Sequence, residues 1–144
     1  MKKVITLVVA ILSLSTYGKD SLDEIAEVLK YVESLNKPKA IGDGGTSYGV
    51  LQIRKACVED VNKHYNTNYT HQDMFVIGCA EEVFKLYAQM GIDRYIKRYN
   101  VYPTTEVIVR NHNGGIYRGY RIEATKDYYR KYQKWKLILK PDKT

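Results

Sequence analysis

Between Asn36 and Gly49 the chain carries Pro38 together with Gly42, Gly44, Gly45 and Gly49, a density of helix breakers that excludes a helix there. Helical signals stand on both sides, so the chain has to fold as helices around one short glycine-rich excursion. Upstream, Ser21-Leu22-Asp23-Glu24 reads as a capping box, with Ser21 as N-cap and Glu24 three positions on. Leu22, Ile25, Val28, Leu29 and Val32 then recur at helical spacing and give that helix one apolar face. Glu33 follows on the edge of this seam, and Asn36, Pro38 and Gly42 end the helix. The segment from Tyr48 to Ile53 reads as a short strand or as the lead-in to a helix, with the glycine loop as a small hairpin or irregular turn.

Downstream, a second helix is expected from Gln52 to Tyr65, closed by Asn66-Thr67-Asn68. Phe75, Cys79, Ala80, Val83, Phe84, Tyr87 and Ala88 outline a third, with Gly91 as its C-cap and a separate helical turn over Asp93–Tyr99. Pro103-Thr104 starts another, through Val107 and Ile108 towards Arg110, which runs into Asn111-His112-Asn113-Gly114-Gly115. The last begins at Ala124-Thr125 and carries Tyr128, Tyr129, Tyr132 and Trp135. The expected fold class is mainly α: one helical domain with at most a small β-hairpin near residues 40–52.

With 144 residues the chain has one domain's length. Met1-Lys2-Lys3 followed by the apolar run Val4–Leu14 has the form of a secretory signal peptide, with Thr16 and Gly18 as the small residues before cleavage. A retained anchor or a buried amino-terminal helix are the rival readings. The expected division is a leader over 1–18, a folded domain over 19–144, and a secreted or periplasmic destination. The chain has 23 basic and 16 acidic residues; loss of Lys2 and Lys3 with the leader leaves 21 against 16, a net charge of +5. That surplus suits an anionic polymer met after export, and ordinary solubility explains it equally well. The basic residues are scattered and no recognition motif is present, so nucleic acid is not an expected partner. Cys57 and Cys79 would meet an oxidising compartment; one disulfide between them, or two buried free thiols, both fit the spacing.

Two carboxylates on separate elements suit the cleavage of a glycosidic bond, which needs one group to protonate the leaving oxygen and a second, ionised, to stabilise or attack the sugar centre. Glu33, flanked by Val32 and Leu35 at an apolar seam, is the candidate acid, because burial disfavours a charged carboxylate. Asp43, among glycines on an open loop, is the candidate anion. Fourteen tyrosines supply apolar bodies with polar tips, which suit a sugar groove or the edge of a core. Other chemistries lack support. His64, His71 and His112 show no metal-ligand spacing, Gly42–Ser47 lacks the ending of a phosphate loop, and no serine-nucleophile motif occurs.

Glu33-Ser34 followed by Pro38 and Ala40, and then Gly49-Val50-Leu51-Gln52-Ile53, resembles the active-site stretch of the lysozyme and soluble lytic transglycosylase superfamily. The chain is most similar to invertebrate-type lysozymes and their bacterial and phage relatives, through Gly42-Asp43-Gly44-Gly45, Arg110-Asn111-His112-Asn113-Gly114-Gly115 and Ala124-Thr125-Lys126-Asp127-Tyr128-Tyr129. The resemblance runs through nearly all of the expected mature chain, in order. It implies an α+β lysozyme-like fold, no cofactor or metal, a monomer, and cleavage of the β-1,4 bond between N-acetylmuramic acid and N-acetylglucosamine in peptidoglycan. It further implies Glu33 as general acid, Asp43 as second carboxylate, Ser47, Tyr48 and Gln52 at the cleft wall, and His112 and Asn113 beside the substrate. His112 is alternatively a structural histidine. Val50 and Ile116 stand where the family has proline, Cys57-Val58 stands where it has Tyr-Trp, and the spacing from Glu33 to Asp43 is shorter than in the animal enzymes. A lytic transglycosylase using Glu33 alone, or a noncatalytic wall-binding relative, are the competing functions.

Overall fold

The computed structural model describes residues 20–141, and the expected leader over 1–18 lies outside them. The chain opens with helix α1 (Leu22–Ser34), whose N-terminus is the capping box read from the sequence. Ser21 accepts from the Glu24 N–H and Glu24 accepts from the Ser21 N–H, which together stabilise the helix start by about 1 kcal/mol. Leu35 and Asn36, both left-handed with φ of 54° and 59°, stop the helix. Three two-residue strands follow, β1 (Ile41–Gly42), β2 (Ser47–Tyr48) and β3 (Ile53–Arg54), antiparallel in the order β1-β2-β3. Ile41 pairs with Tyr48 and Gly42 with Ser47; Ser47 pairs in turn with Arg54 and Tyr48 with Ile53. The mainly helical class and the hairpin near 40–52 hold, with a third strand added.

That strand displaces the start of the next helix. Gln52 sits at φ 49° in the β2–β3 turn, so helix α2 spans Lys55–Tyr65 instead of beginning at Gln52. A 3-10 turn over His71–Phe75 precedes helix α3 (Ile77–Tyr99), and Phe75 lies in the turn rather than in the helix. Helices α4 (Thr105–Gly114) and α5 (Thr125–Leu139) complete the domain, joined through a 3-10 turn at Gly119–Arg121.

Gly91 is a second correction. It does not cap a helix; α3 runs through it to a left-handed cap at Asn100. A Cβ on Gly91 would lie 3.0 Å from Cγ2 of Ile116, so the glycine serves the close approach of the segment after α4. Its cost to the helix, roughly 1 kcal/mol relative to alanine, is offset by that packing.

The core gathers Ile25 and Leu29 of α1, Val58 and Val61 of α2, Val83 and Phe84 of α3, Ile108 and Val109 of α4 and Tyr132 of α5 around Val50, Leu51 and Ile53 of the sheet region. Each fully buried aliphatic side chain contributes roughly 1.5–3 kcal/mol. Buried ions tie the helices: Lys30 of α1 reaches Glu81 of α3 at 2.6 Å and Glu27 at 2.7 Å. Arg110 of α4 bonds Glu106, Thr125 and the carbonyl of Ile122. No described helix is long and apolar enough to cross a membrane.

Candidate active site

Glu33 and Asp43 line one open cleft of about 310 Å³, with Gln52, Arg54, Tyr87, His112 and Asn113 on its walls. Their relative placement depends on the turn between β2 and β3, whose carbonyls are claimed by two helices. Ser34 of α1 donates its hydroxyl to the carbonyl of Val50 at 2.9 Å, and Nε2 of His112 on α4 lies 3.1 Å from the carbonyl of Leu51. Val50 and Leu51 are themselves fully buried. The turn is therefore clamped by packing and by both hydrogen bonds, and the sheet carrying Asp43 is held against the helix carrying Glu33.

The Glu33 side chain is 18% exposed. Its surroundings differ from those expected from its neighbours in sequence, because Leu35 stands in solvent beyond the helix end. The groups that meet Glu33 come from distant elements. Tyr128 of α5 donates its hydroxyl to Oε1 at 2.5 Å, and Nε2 of His112 lies 3.4 Å from the same oxygen. A carbonyl oxygen can only accept, so the contact with Leu51 requires His112 to carry its hydrogen on Nε2. The ring is also met edge-on by Phe84, with centroids 5.3 Å apart. His112 thus braces the β2–β3 turn and also lines the cleft. Burial foremost, and then the charge of Glu33 and the hydrogen bond to it, push the Tyr128 phenol well above its ordinary value, so it remains a donor. Both contacts fall on Oε1, which leaves Oε2 without a hydrogen-bond partner among the described residues.

Asp43 opens a 3-10 turn, Asp43–Gly45, at φ 50°, followed by Gly44 at 65° and Gly45 at 96°. Glycine accepts this left-handed run without Cβ strain, and aspartate is among the few other residues that tolerate it. Its Oδ2 accepts from Ser47 Oγ at 2.7 Å and Arg54 Nη2 at 3.0 Å. The register explains the clamp, since Ser47 and Arg54 are directly paired across β2 and β3 and therefore project from one face. The Ser47 hydrogen bond first, and then Arg54, hold the Asp43 carboxyl below the usual carboxylate range. Asp43 is ionised and open to solvent.

The other expected contact residues divide. Gln52, His112 and Asn113 line the cleft, and Gln52 also braces the loop by donating to the carbonyl of Gly49 at 2.9 Å. Ser47 does not reach the cleft wall; it is fully buried and positions Asp43. Tyr48 points to the opposite face of β2, as strand alternation requires. There it stacks on His71 at 3.8 Å and on Phe75 at 4.7 Å, away from the cleft. Tyr128, Arg54 and Tyr87 join the site without having been singled out for it in the sequence.

Cys57 and Cys79 are free thiols, so the possible disulfide is not formed. Cys57 faces the cleft beside Tyr87 and Asp60, whereas Cys79 lies on α3 near Tyr69. Cys79 and Tyr87 are eight residues apart on one helix, about 12 Å along its axis, which keeps the two sulfurs in separate surroundings. Burial, and secondarily the charge of Asp60, push the Cys57 thiol up to about 12. Among the described residues no group of three or more His, Cys, Asp or Glu side chains is placed to hold a metal ion. Comparison with family models, with curated proteins and with solved structures returned no match.

Proposed function

We propose that this chain is an exported peptidoglycan-cleaving glycosidase that cuts the β-1,4 bond between N-acetylmuramic acid and N-acetylglucosamine, with Glu33 as general acid and Asp43 as second carboxylate. One observation carries the reading. Glu33 presents one oxygen without a hydrogen-bond partner among the described residues, Oε2, and lines a cleft with an ionised carboxylate, while Tyr128 donates to Oε1. With the Tyr128 hydroxyl donating to Oε1, the proton of the acid form is favoured on Oε2, where a leaving glycosidic oxygen can take it. As the proton departs, charge develops on a carboxylate that already has the Tyr128 hydroxyl donating to it, so that group stabilises the transition state more than the ground state. Asp43 stands ready as an anion for the oxocarbenium-like centre or for water.

A second reading is favoured by the pairing of Asp43 with Arg54. A guanidinium 3.0 Å from Oδ2 offsets the negative charge that a nucleophile or stabilising anion has to offer. Glu33 acting alone would return the sugar's own 6-hydroxyl to the anomeric carbon, as a lytic transglycosylase does.

The test is digestion of purified cell walls by the chain lacking residues 1–18, with Glu33→Gln beside it, followed by mass analysis of the soluble fragments. Hydrolysis gives free reducing ends, and transglycosylation gives 1,6-anhydro ends one water lighter. Glu33→Gln is expected to lose roughly 10²–10⁴ in rate; activity within tenfold of the parent overturns the assignment.

A further inference from the structure

Beside the cleft lies an open groove of about 380 Å³ between α3 and the segment following α4, lined by Arg94, Lys97, Arg98, Tyr99, Tyr117 and Tyr120 among others. Its chemistry differs from that of the cleft. No carboxylate lines it, and among the described residues Arg94, Lys97, Arg98 and the adjoining Arg121 form no ion pair, as is also true of several lysines elsewhere on the surface. The cations are ordered against aromatic rings. The Arg94 guanidinium lies 4.1 Å from the Tyr117 ring centre, and Arg98 lies 5.5 Å from that of Tyr99. Arg121 donates to the hydroxyls of both Tyr120 and Tyr99, which are themselves 2.6 Å apart. Uncompensated guanidinium groups held among exposed tyrosine faces form a site for an oxyanion attached to a ring-bearing chain.

The groove neighbours the cleft along the same two chain segments. Tyr87 lines the cleft and Gly91 the groove, one turn apart on α3, and Gly115 and Ile116 are successive residues on the opposite wall. Arg94 is seven residues beyond Tyr87, about 10 Å along the helix, close to the length of a disaccharide. We propose that this groove is a second binding site for a carboxylate or phosphate carried by the same wall polymer whose glycan occupies the cleft. The proposal rests on the wall-glycan reading of the cleft. Three lining cations in a short groove supply few of the successive phosphate contacts that duplex DNA binding uses, and the shared walls tie the occupant to the cleft.

Binding of the Glu33→Gln chain to purified walls, measured by co-sedimentation, tests this without requiring cleavage, so a failure of the catalytic reading leaves the measurement intact. The double variant Arg94→Gln/Arg98→Gln is expected to bind intact walls about tenfold more weakly, and Arg94→Lys/Arg98→Lys within about threefold of the parent. Walls stripped of phosphate polymers by hydrofluoric acid, and walls stripped of peptide stems by an amidase, identify the oxyanion, because the variant should lose its deficit on one of them. Raising salt from about 0.05 to about 0.5 M should weaken the unsubstituted groove's binding to intact walls by a similar factor, which provides a readout if the glutamine variant does not fold. Equal binding of parent and glutamine variant to intact walls, a deficit undiminished on both stripped walls, salt-independent binding, or tighter binding of duplex DNA than of walls through the same arginines would each overturn the proposal.

Discussion

Replacing Tyr128 by phenylalanine removes one oxygen and leaves the ring in place. In the parent, that oxygen donates to Oε1 of Glu33 at 2.5 Å. A hydrogen bond to a charged acceptor is worth roughly 1.5–3 kcal/mol and one to a neutral acceptor about 0.5–1.5 kcal/mol. In the proposed reaction Glu33 gives up its proton in the chemical step and passes from neutral to anionic, so only the difference, about 1–1.5 kcal/mol, bears on that step. At about 1.4 kcal/mol per decade, Tyr128→Phe should lower kcat about tenfold. Tyr128 is not among the residues lining the cleft, so KM should change by less than about twofold, which separates a positioning residue from a substrate contact. Stability should fall by about 1 kcal/mol, since His112 still faces Oε1 and the Glu33 side chain keeps some contact with solvent. The assay is initial-rate cleavage of a soluble glycan fragment over a range of concentrations, with thermal unfolding measured in parallel. A kcat within twofold of the parent, or a loss carried entirely by KM, would refute the role given to Tyr128.

Three further outcomes are expected. The Asp43 carboxyl should titrate below the usual carboxylate range by NMR, and Ser47→Ala should move it upward because its largest stabilising contact is removed. With the folded value depressed, the associated stability is present above the unfolded value of about 3.9 and is lost as pH falls through the folded one, so Ser47→Ala should be less sensitive to acid than the parent. Reductant should leave the melting temperature unchanged, and Cys57, pushed up to about 12, should react with a thiol reagent at pH 8 far more slowly in the folded chain than after denaturation; a melting temperature that drops with reductant would reveal a bridge. Gly91→Ala should destabilise the fold by about 1–2 kcal/mol despite alanine's higher helix propensity, because its Cβ meets Ile116 at 3.0 Å, and a more stable variant in chemical denaturation would show that Ile116 gives way freely.

Features set by neighbours within a turn or two of chain were legible in the sequence alone. The capping box at Ser21 and Glu24, the apolar seam of α1, the break after Ser34 and the position of Glu33 at that helix end are local, because helix spacing and cap chemistry act over three or four residues. The same local rules misread Gly91, since glycine ends helices more often than it fills their interiors and the reason for it here, Ile116, is supplied by another part of the fold. The resemblance placed Ser47 and Tyr48 at the cleft wall, where only the strand register could show that one is buried beneath Asp43 and the other faces the opposite side. The site's decisive partnership was out of the local rules' reach. Tyr128 stands 95 residues from Glu33, and no periodicity links them. Helix packing brings α1, α4 and α5 together, and with them the Tyr128 hydroxyl that donates to one oxygen of Glu33 and the His112 ring beside it; an apolar seam specifies that a helix face is buried, and only the tertiary arrangement decides which side chains meet there.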